Sequence, residues 1–305
     1  MQKILITGAA GYLGRELISQ LMNHPAYDVY AFVNSKQKAI EVLQNIDPEK
    51  IFDHTDRKAA AIPFSQSDVL VHCAFCRQSD GPILSESLTF TRSFISEAID
   101  NDVSKIINIS SQGVYGQINP PLWHEDMQPA PTSMYALAKY ASEQIVNALG
   151  DTSSDIYCTN LRIPGLTGGK PGLKPEVTSR FVSNVLNGQN IQIKGGKQVF
   201  SNMHVEDAAS AIIALINTDA SNWDSTYNIG NDWQHSIMEI AQMVLEVAPN
   251  YVSYSNKIKL EKADILLNSG LDSRKFKEFT KWTPKHDMKN IIHSLYSYLK
   301  ENELE

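Results

Sequence analysis

The chain has 305 residues, 42% hydrophobic and 20% charged, with 27 basic against 34 acidic side chains. That apolar content excludes a disordered chain, and the length suits two domains or one large α/β domain with a smaller lobe. A formal net charge of −7 argues against a nucleic-acid polymer as partner, because such proteins need a concentrated positive surface. No apolar run approaches the ~18 residues of a membrane span. Met1-Gln2-Lys3 leads straight into a strand-like segment rather than a leader, so a cytoplasmic protein is expected, with no membrane partner.

Lys3-Ile4-Leu5-Ile6-Thr7 reads as a short apolar strand, and a helical period through Leu13, Leu17, Leu21 and Met22 follows the glycines. Between them lies Thr7-Gly8-Ala9-Ala10-Gly11-Tyr12-Leu13-Gly14. Strand before and helix after is the context a phosphate cradle requires. Gly8 permits the tight turn, Gly11 lets the backbone approach a pyrophosphate, and Gly14 lets the helix pack closely on the sheet. The helix N-terminus adds N–H donors and positive potential. Ala10, Tyr12 and Leu13 belong to the same cradle, and a dinucleotide is the expected ligand.

Val29–Val33 makes a second strand that runs into Asn34-Ser35-Lys36. An acid at this place favours NAD, and none stands here. Its absence removes repulsion against a 2′-phosphate, and Lys36 and Lys38 offer charge to pair with one. The residues lean slightly towards NADP, with NAD left open; the lysines also serve simply to solvate the next helix. Asp53-His54-Thr55-Asp56 follows the expected third strand, where Asp53 is placed to accept from an adenine amino group. A plain polar loop fits this segment equally well.

Val69–Cys73 and Ile106–Ile109 are two further strands, with a helical stretch Leu88–Ile99 between them. Strands that alternate with helices and are apolar nearly throughout imply a parallel sheet covered on both faces. Cys73, Cys76 and Cys158 are the only cysteines, too few for a disulfide framework. The Cys73/Cys76 pair lacks the second pair that a structural zinc needs, so ordinary packing is expected, with redox chemistry as the alternative.

The strand Ile106–Ile109 runs into Ser110-Ser111-Gln112-Gly113-Val114-Tyr115-Gly116. Further on, a helix opens with Tyr135-Ala136-Leu137-Ala138-Lys139, whose spacing puts Tyr135 and Lys139 on one face. A free tyrosine titrates near 10 and is a poor base at neutral pH. A neighbouring ammonium and an oxidised nicotinamide favour its phenolate, which then exchanges a proton with a substrate hydroxyl or carbonyl. Lys139 also suits the nicotinamide ribose, and Ser111 suits the substrate oxygen. The Gly/Pro-rich stretch Pro164–Pro175 reads as a loop leaving the sheet for a second lobe. Ser236-Ile237-Met238-Glu239 is a capping box opening a helix through Ile240, Met243, Val244 and Val247.

These motifs resemble the extended short-chain dehydrogenase/reductases of the NAD-dependent epimerase/dehydratase family. The likeness spans nearly the whole chain. It runs through Thr7–Gly14, Asp68–Ala74, Ser111-x-x-Val114-Tyr115-Gly116, Glu125-Asp126, Pro129, Tyr135-x-x-x-Lys139 and Leu161-Arg162. It continues through His204-Val205-Glu206-Asp207, Tyr227–Gly230 and Trp282-x-Pro284. The resemblance implies an α/β fold, a Rossmann-type doubly wound parallel sheet with a smaller C-terminal substrate lobe. Residues 1–165, with 204–230 returning, would form the NAD(P)-binding part, and 166–203 with 231–305 the lobe. It implies Ser111, Tyr135 and Lys139 as the catalytic set. Cys73, Ala74 and Phe75, and Ile163 and Gly165, join Asn34, Ser35, Lys36, Asp53 and His54 as implied cofactor contacts. A nucleotide-sugar is the implied substrate, and a homodimer is compatible with the apolar face Leu137, Tyr140, Ala141, Ile145 and Val146, which suits sheet packing as well.

Several positions depart from the family pattern. Gln112 and Gly113 stand where sugar dehydratases carry acids, which disfavours elimination of water. Gly165 stands where epimerases often have Asn, and Phe200 where nucleotide-sugar enzymes place a diphosphate-binding Arg. Lys194 and Lys197 offer charge nearby but lack arginine's fork. Ser111, Gln112, Gly113 and Phe200 are therefore the expected substrate contacts. His204 beside Glu206 and Asp207 resembles a metal site, yet the family pattern makes it a structural corner, with the acids favourable at a helix N-terminus, so no metal is expected. The leading expectation is a nucleotide-sugar epimerase; the alternative is a net NAD(P)H-dependent reductase or dehydrogenase of a keto sugar or other small carbonyl compound. A non-catalytic dinucleotide sensor stands third, since it has less need of the Ser111/Tyr135/Lys139 set.

Overall fold

The computed structural model describes every residue except 78–79, 118–120, 170–175, 232, 254, 256, 266 and 303–305. The strands are β1 (Gln2–Thr7), β2 (Tyr27–Phe32), β3 (Ile51–Phe52), β4 (Val69–His72), β5 (Lys105–Ser111), β6 (Tyr157–Ile163), β7 (Gly165–Thr167), β8 (Ile191–Lys194), β9 (Val199–Phe200), β10 (Asn202–His204), β11 (Thr226–Asn228), β12 (His235–Ser236) and β13 (Ile258–Glu261). The helices are α1 (Tyr12–Met22), α2 (Lys36–Val42), α3 (His54–Lys58), α4 (Gly81–Asp100), α5 (Met134–Gly150), α6 (Val177–Leu186), α7 (Val205–Ile216), α8 (Ile237–Val247), α9 (Arg274–Thr280) and α10 (Met288–Asn302).

The main sheet has the order β3-β2-β1-β4-β5-β6-β11 with every neighbouring pair parallel. Strand alternation sorts the apolar residues to two faces. Ile4, Ile6, Val29, Ala31, Val69 and Val71 pack under Leu13, Leu17, Ile212 and Leu215 of α1 and α7. Leu5, Tyr30, Leu70 and Ile106 face the other way, against Phe94, Ile95 and Val146 of α4 and α5. Both faces are thus dry, which is why these strands are apolar nearly throughout. The order reverses between β1 and β4, where ligands of open α/β sheets bind beyond the carboxyl ends of the strands.

The lobe has its own core, in which Phe181 and Val182 of α6, Ile191 and Ile193 of β8, Ile240 and Val244 of α8, and Ile291 and Leu295 of α10 meet. Its strands are short two-stranded ribbons, β13 beside β8 and β12 beside β9. The capping box at Ser236 and Glu239 opens α8 as the spacing predicts. The Gly/Pro-rich stretch differs from a plain loop: Gly165–Thr167 is a strand that pairs in parallel with β10. Positions 170–175 of that stretch lie outside the described residues. No helix among the described residues is long and apolar enough to cross a membrane.

Candidate active site

The glycine cradle sits at the sheet's switch point. Thr7 is in register with His72, and the Cys73 N–H donates to Thr7 O at 3.2 Å, so Gly8 lies beside the end of β4. Gly8 has φ +65°, and a Cβ there would stand 2.8 Å from Ala74 N; both reasons demand glycine. A Cβ on Gly14 would fall 2.8 Å from Ala9 Cα, which is how helix and turn come so close. Gly11 begins α1 without a side-chain cap, leaving first-turn N–H groups for a ligand. These residues fit a dinucleotide pyrophosphate.

Beneath the cradle lies a buried relay. Thr91 donates to Ser87 O at 2.8 Å, so its oxygen accepts from His72 Nε2 at 3.0 Å. His72 Nδ1 then accepts the Thr7 hydroxyl at 2.8 Å, and Thr7 Oγ1 accepts the Ala74 N–H at 3.3 Å. Burial, with the Lys139 charge, pushes the imidazole down to about 3 and keeps it neutral. The relay fixes the loop Cys73-Ala74-Phe75 against the cradle. Burial likewise pushes the Cys73 thiol up to about 12. All three cysteines are free thiols.

The three expected catalytic residues converge from β5 and α5. Ser111 caps the turn after β5: its oxygen accepts the Gly113 N–H at 3.1 Å, and its hydroxyl faces the Tyr135 phenol. Burial raises the phenol above its ordinary value, while the Arg77 charge and the Ser111 hydrogen bond pull it back. Ser133 caps α5 through Ala136 N–H, so Tyr135 falls in the first turn and Lys139 one turn later. Lys139 is 4% exposed, donates to Ile109 O at 2.7 Å and lies 4.0 Å from the Phe75 ring centre. Burial pushes its ammonium down to about 7, against the opposing pull of Cys73 and Glu143. Phe75 also meets Tyr135 edge-on at 6.2 Å, so one loop residue orders both.

Glu143 continues the same helical face and was missed as a site residue. It accepts from Arg162 Nε at 3.0 Å and Nη2 at 2.7 Å, and from Ser110 Oγ. Arg162 Nη1 donates to Tyr115 OH at 2.8 Å, which donates to Asn228 at 2.9 Å. Both side chains of the ion pair are at most 5% exposed. The signal was present, since 135, 139 and 143 recur every four residues, but periodicity does not say which polar residue is buried. Arg77, which acts on the phenol from the loop after β4, had no signal at all.

Other expected contacts fall as follows. Ile163 ends β6 and Gly165 opens β7, where Asn202 Oδ1 lies 3.0 Å from the place of a Gly165 Cβ. Gln112 Oε1 is buried with no hydrogen-bond partner among the described residues. Phe200 lies in β9 opposite His235, part-buried against the lobe core. Asp53 follows β3 and caps α3, and the His54 ring meets Phe32 edge-on at 5.2 Å. Asn34, Ser35 and Lys36 form the β2–α2 corner. Tyr12 donates to Gly168 O, tying the cradle to the segment after β7.

His204, Glu206 and His286 bring ligand-type atoms within 4.8 Å of one another. Each ring is engaged. His204 Nδ1 accepts the Glu206 N–H at 3.2 Å and its Nε2 meets Ser294 Oγ at 3.1 Å. Burial, with the His286 charge, pushes it down to about 4. His286 stacks on it at 4.0 Å and holds Asp207 at 3.0 Å. An Nδ1 that accepts an N–H leaves the proton on Nε2, which faces Ser294 Oγ.

Residues 4–230 match the NAD dependent epimerase/dehydratase family. The chain is 27% identical over 316 residues to a putative UDP-glucose 4-epimerase of Methanocaldococcus jannaschii, covering 98% of this chain and 99% of that one. It is 28% identical over 257 residues to a UDP-N-acetyl-alpha-D-glucosaminuronate decarboxylase of Bacillus cytotoxicus, covering 79% and 78%. In fold it is similar to a UDP-glucuronic acid 4-epimerase from Bacillus cereus solved with UDP-glucuronic acid and NAD, at TM-score 0.82, 22% identity and coverage of 98% and 99%. With the cradle and the Ser111/Tyr135/Lys139 geometry in place, this chain belongs to the NAD dependent epimerase/dehydratase family.

Proposed function

We propose that the chain is an NAD(P)-dependent sugar-modifying enzyme, a nucleotide-sugar epimerase that works by Ser/Tyr/Lys-assisted hydride transfer. The observation that carries this reading is the convergence of Ser111, at the end of β5, with Tyr135 and Lys139, one turn apart on α5, beside the glycine cradle. A dinucleotide held by Gly8–Gly14 and Lys139 supplies the hydride exchange. Tyr135 takes the proton from a substrate hydroxyl and returns it after the sugar has turned. Ser111, whose oxygen already accepts the Gly113 N–H, directs its own proton towards the shared oxygen. Lys139 places positive charge near the phenol and so favours its anion. Gln112 Oε1, buried and without a partner among the described residues, suits a substrate or cofactor donor. Relatives named for nucleotide-sugar chemistry support the substrate class.

Incubation with a panel of UDP-, dTDP- and GDP-sugars tests it. Interconversion of two sugars without net change in the cofactor is the expected result, and failure to bind any of them rejects it.

Phe200 favours a second reading, a net reductase or dehydrogenase of a keto sugar or small carbonyl compound, because no guanidinium stands there to pair with a diphosphate. Stoichiometric loss of NADPH or NADH absorbance with a carbonyl substrate would select it. Met134 and Leu137, 55% and 49% exposed on α5, support a homodimer, checked by sedimentation. Three free thiols fit a cytoplasmic setting.

A further inference from the structure

The tip of β5 overhangs its sheet. β4 pairs with β5 only as far as His72 beside Asn108, whereas β6 runs on beside Ile109, Ser110 and Ser111. Ser111 therefore ends a stretch that is laddered on one edge only, and the chain then turns into Gln112–Tyr115. A strand end with one neighbour is freer to shift than one with two.

The Glu143–Arg162 pair grips this overhang on both sides of Ser111. Arg162 is the register partner of Ser110 on β6. Glu143 Oε1 accepts the Ser110 hydroxyl and Arg162 Nε, and its Oε2 accepts Nη2 at 2.7 Å. The remaining arm of the guanidinium, Nη1, donates at 2.8 Å to the phenol of Tyr115, which closes the turn after Ser111. Tyr115 is held in its turn, donating to Asn228 Oδ1 at 2.9 Å and stacking on Trp123 at 5.6 Å. Glu143, Ser110 and Tyr115 are each at most 2% exposed, so water does not compete for these bonds. A forked pair of charged hydrogen bonds fixes angle as well as distance. Glu143 also belongs to α5, two turns past Tyr135 and one past Lys139. One ion pair thus pins the tip of β5 to the helix that carries Tyr135.

We propose that Glu143 and Arg162 are positioning residues for Ser111: the pair sets the β5 tip against α5, so that the Ser111 hydroxyl and the Tyr135 phenol face the same substrate oxygen. Both charges lie buried beneath the strand tip and act through Ser110 on one side of Ser111 and Tyr115 on the other. An ion pair serving stability alone would leave the placing of that hydroxyl to the backbone.

This inference rests on the roles proposed above for Ser111 and Tyr135, and the experiment separates the two. Ser110→Ala and Tyr115→Phe each remove one grip and leave the ion pair and every charge in place. The groups that face the Tyr135 phenol are Arg77 and Cys76 from the loop after β4, with Lys139 one turn on in α5, and none of them is altered. Ionisation of Tyr135 is followed in the full-length protein with NAD added, from the carbon-13 resonance of ring-labelled tyrosine, and Tyr135→Phe identifies the signal. Ser111→Ala is expected to weaken the phenol as an acid about tenfold, through loss of a hydrogen bond to the phenolate. Ser110→Ala and Tyr115→Phe should each weaken it about threefold, and neither should add anything in the Ser111→Ala background. Should one variant unfold, the other carries the measurement. On a nucleotide-sugar that turns over, kcat is expected to fall by similar factors with KM little changed. An ionisation constant unmoved in the folded variants overturns the inference, as does an equal shift in the Ser111→Ala background. The titration needs no substrate, so it decides the positioning role even where every sugar of the panel fails. A constant unmoved by Ser111→Ala itself removes the role of Ser111 and this inference with it.

Discussion

The sheet and the lobe hold their charges in different ways. Behind Tyr135 and Lys139, Glu143 and Arg162 form an ion pair that is at most 5% exposed, and Ser110, Tyr115 and Asn228 complete its hydrogen bonds. In the lobe the corresponding pairs, Lys194 with Glu261 and Lys289 with Glu246, are more than half exposed. Buried charges tolerate only one geometry, because any displacement strands one of them in a poor solvent. Surface pairs in water tolerate many. The sheet therefore specifies one arrangement for Tyr135 and Lys139, while the lobe is a packed apolar core whose surface is free to vary.

Substitutions on the two sides break or sharpen that contrast. The largest effect is expected from Tyr135→Phe, which removes the proton-transfer group. Turnover should fall about 10²–10⁴-fold. Dinucleotide affinity should stay within a small factor of wild type, and loss of affinity in step with turnover would show that the phenol serves binding instead. Arg162→Met comes next. It leaves the Glu143 carboxylate buried without its partner and should cost on the order of 3–5 kcal/mol in urea unfolding. Lys194→Ala in the lobe should leave the urea midpoint where it is. Equal losses from the two would erase the contrast between sheet and lobe.

Acidity probes the sheet side more gently. His72 is held down to about 3 and Lys139 to about 7, both below their unfolded values. A group depressed on folding contributes its stability above the unfolded pKa and loses it as pH falls through the folded one. Lys139 therefore weakens the cofactor-free protein as pH falls from about 10.5 towards 7. His72 does so from about 6.5 towards 3. Lys139→Met should flatten the upper window of thermal midpoint against pH and spare the lower one. A midpoint that falls as steeply in the variant as in wild type would show that Lys139 is not the group being titrated. The smallest effect concerns thiols. Cys73 and Cys158 are both pushed up to about 12 by burial, so iodoacetamide at neutral pH should label them slowly in the native state and quickly in urea. Fast native labelling of Cys73 would mean that the end of β4 is far more open than its packing against the core implies.

Much of this was legible in advance because local chemistry demanded it. The strand-glycine-helix order of 3–22 reads the same in sequence and in space, since Gly8 must take a positive φ and Gly14 must touch the turn. Tyr135 and Lys139 share a face because a helix forces any i, i+4 pair to do so. Other features carried no local mark. The helix expected at 88–99 begins at Gly81, because Asp80 caps it through Ile83 N–H. The short ribbons of the lobe, such as β9 with two residues, are too brief to leave a period. Cys73 and Cys76 look alike in sequence, yet the first follows β4 directly and packs against the core while the second lies on the loop near Tyr135.

By itself, the sequence determined the glycine cradle, the shared face of Tyr135 and Lys139 and the class of fold, because each depends on spacing within one strand, turn or helix. Only the tertiary structure decided which charges are buried together and what stands at each corner. Glu143 and Arg162 come from different elements, as do Asp53 and Lys36. Their energies depend on the dielectric and the distance between them, and neither quantity exists until the sheet has closed.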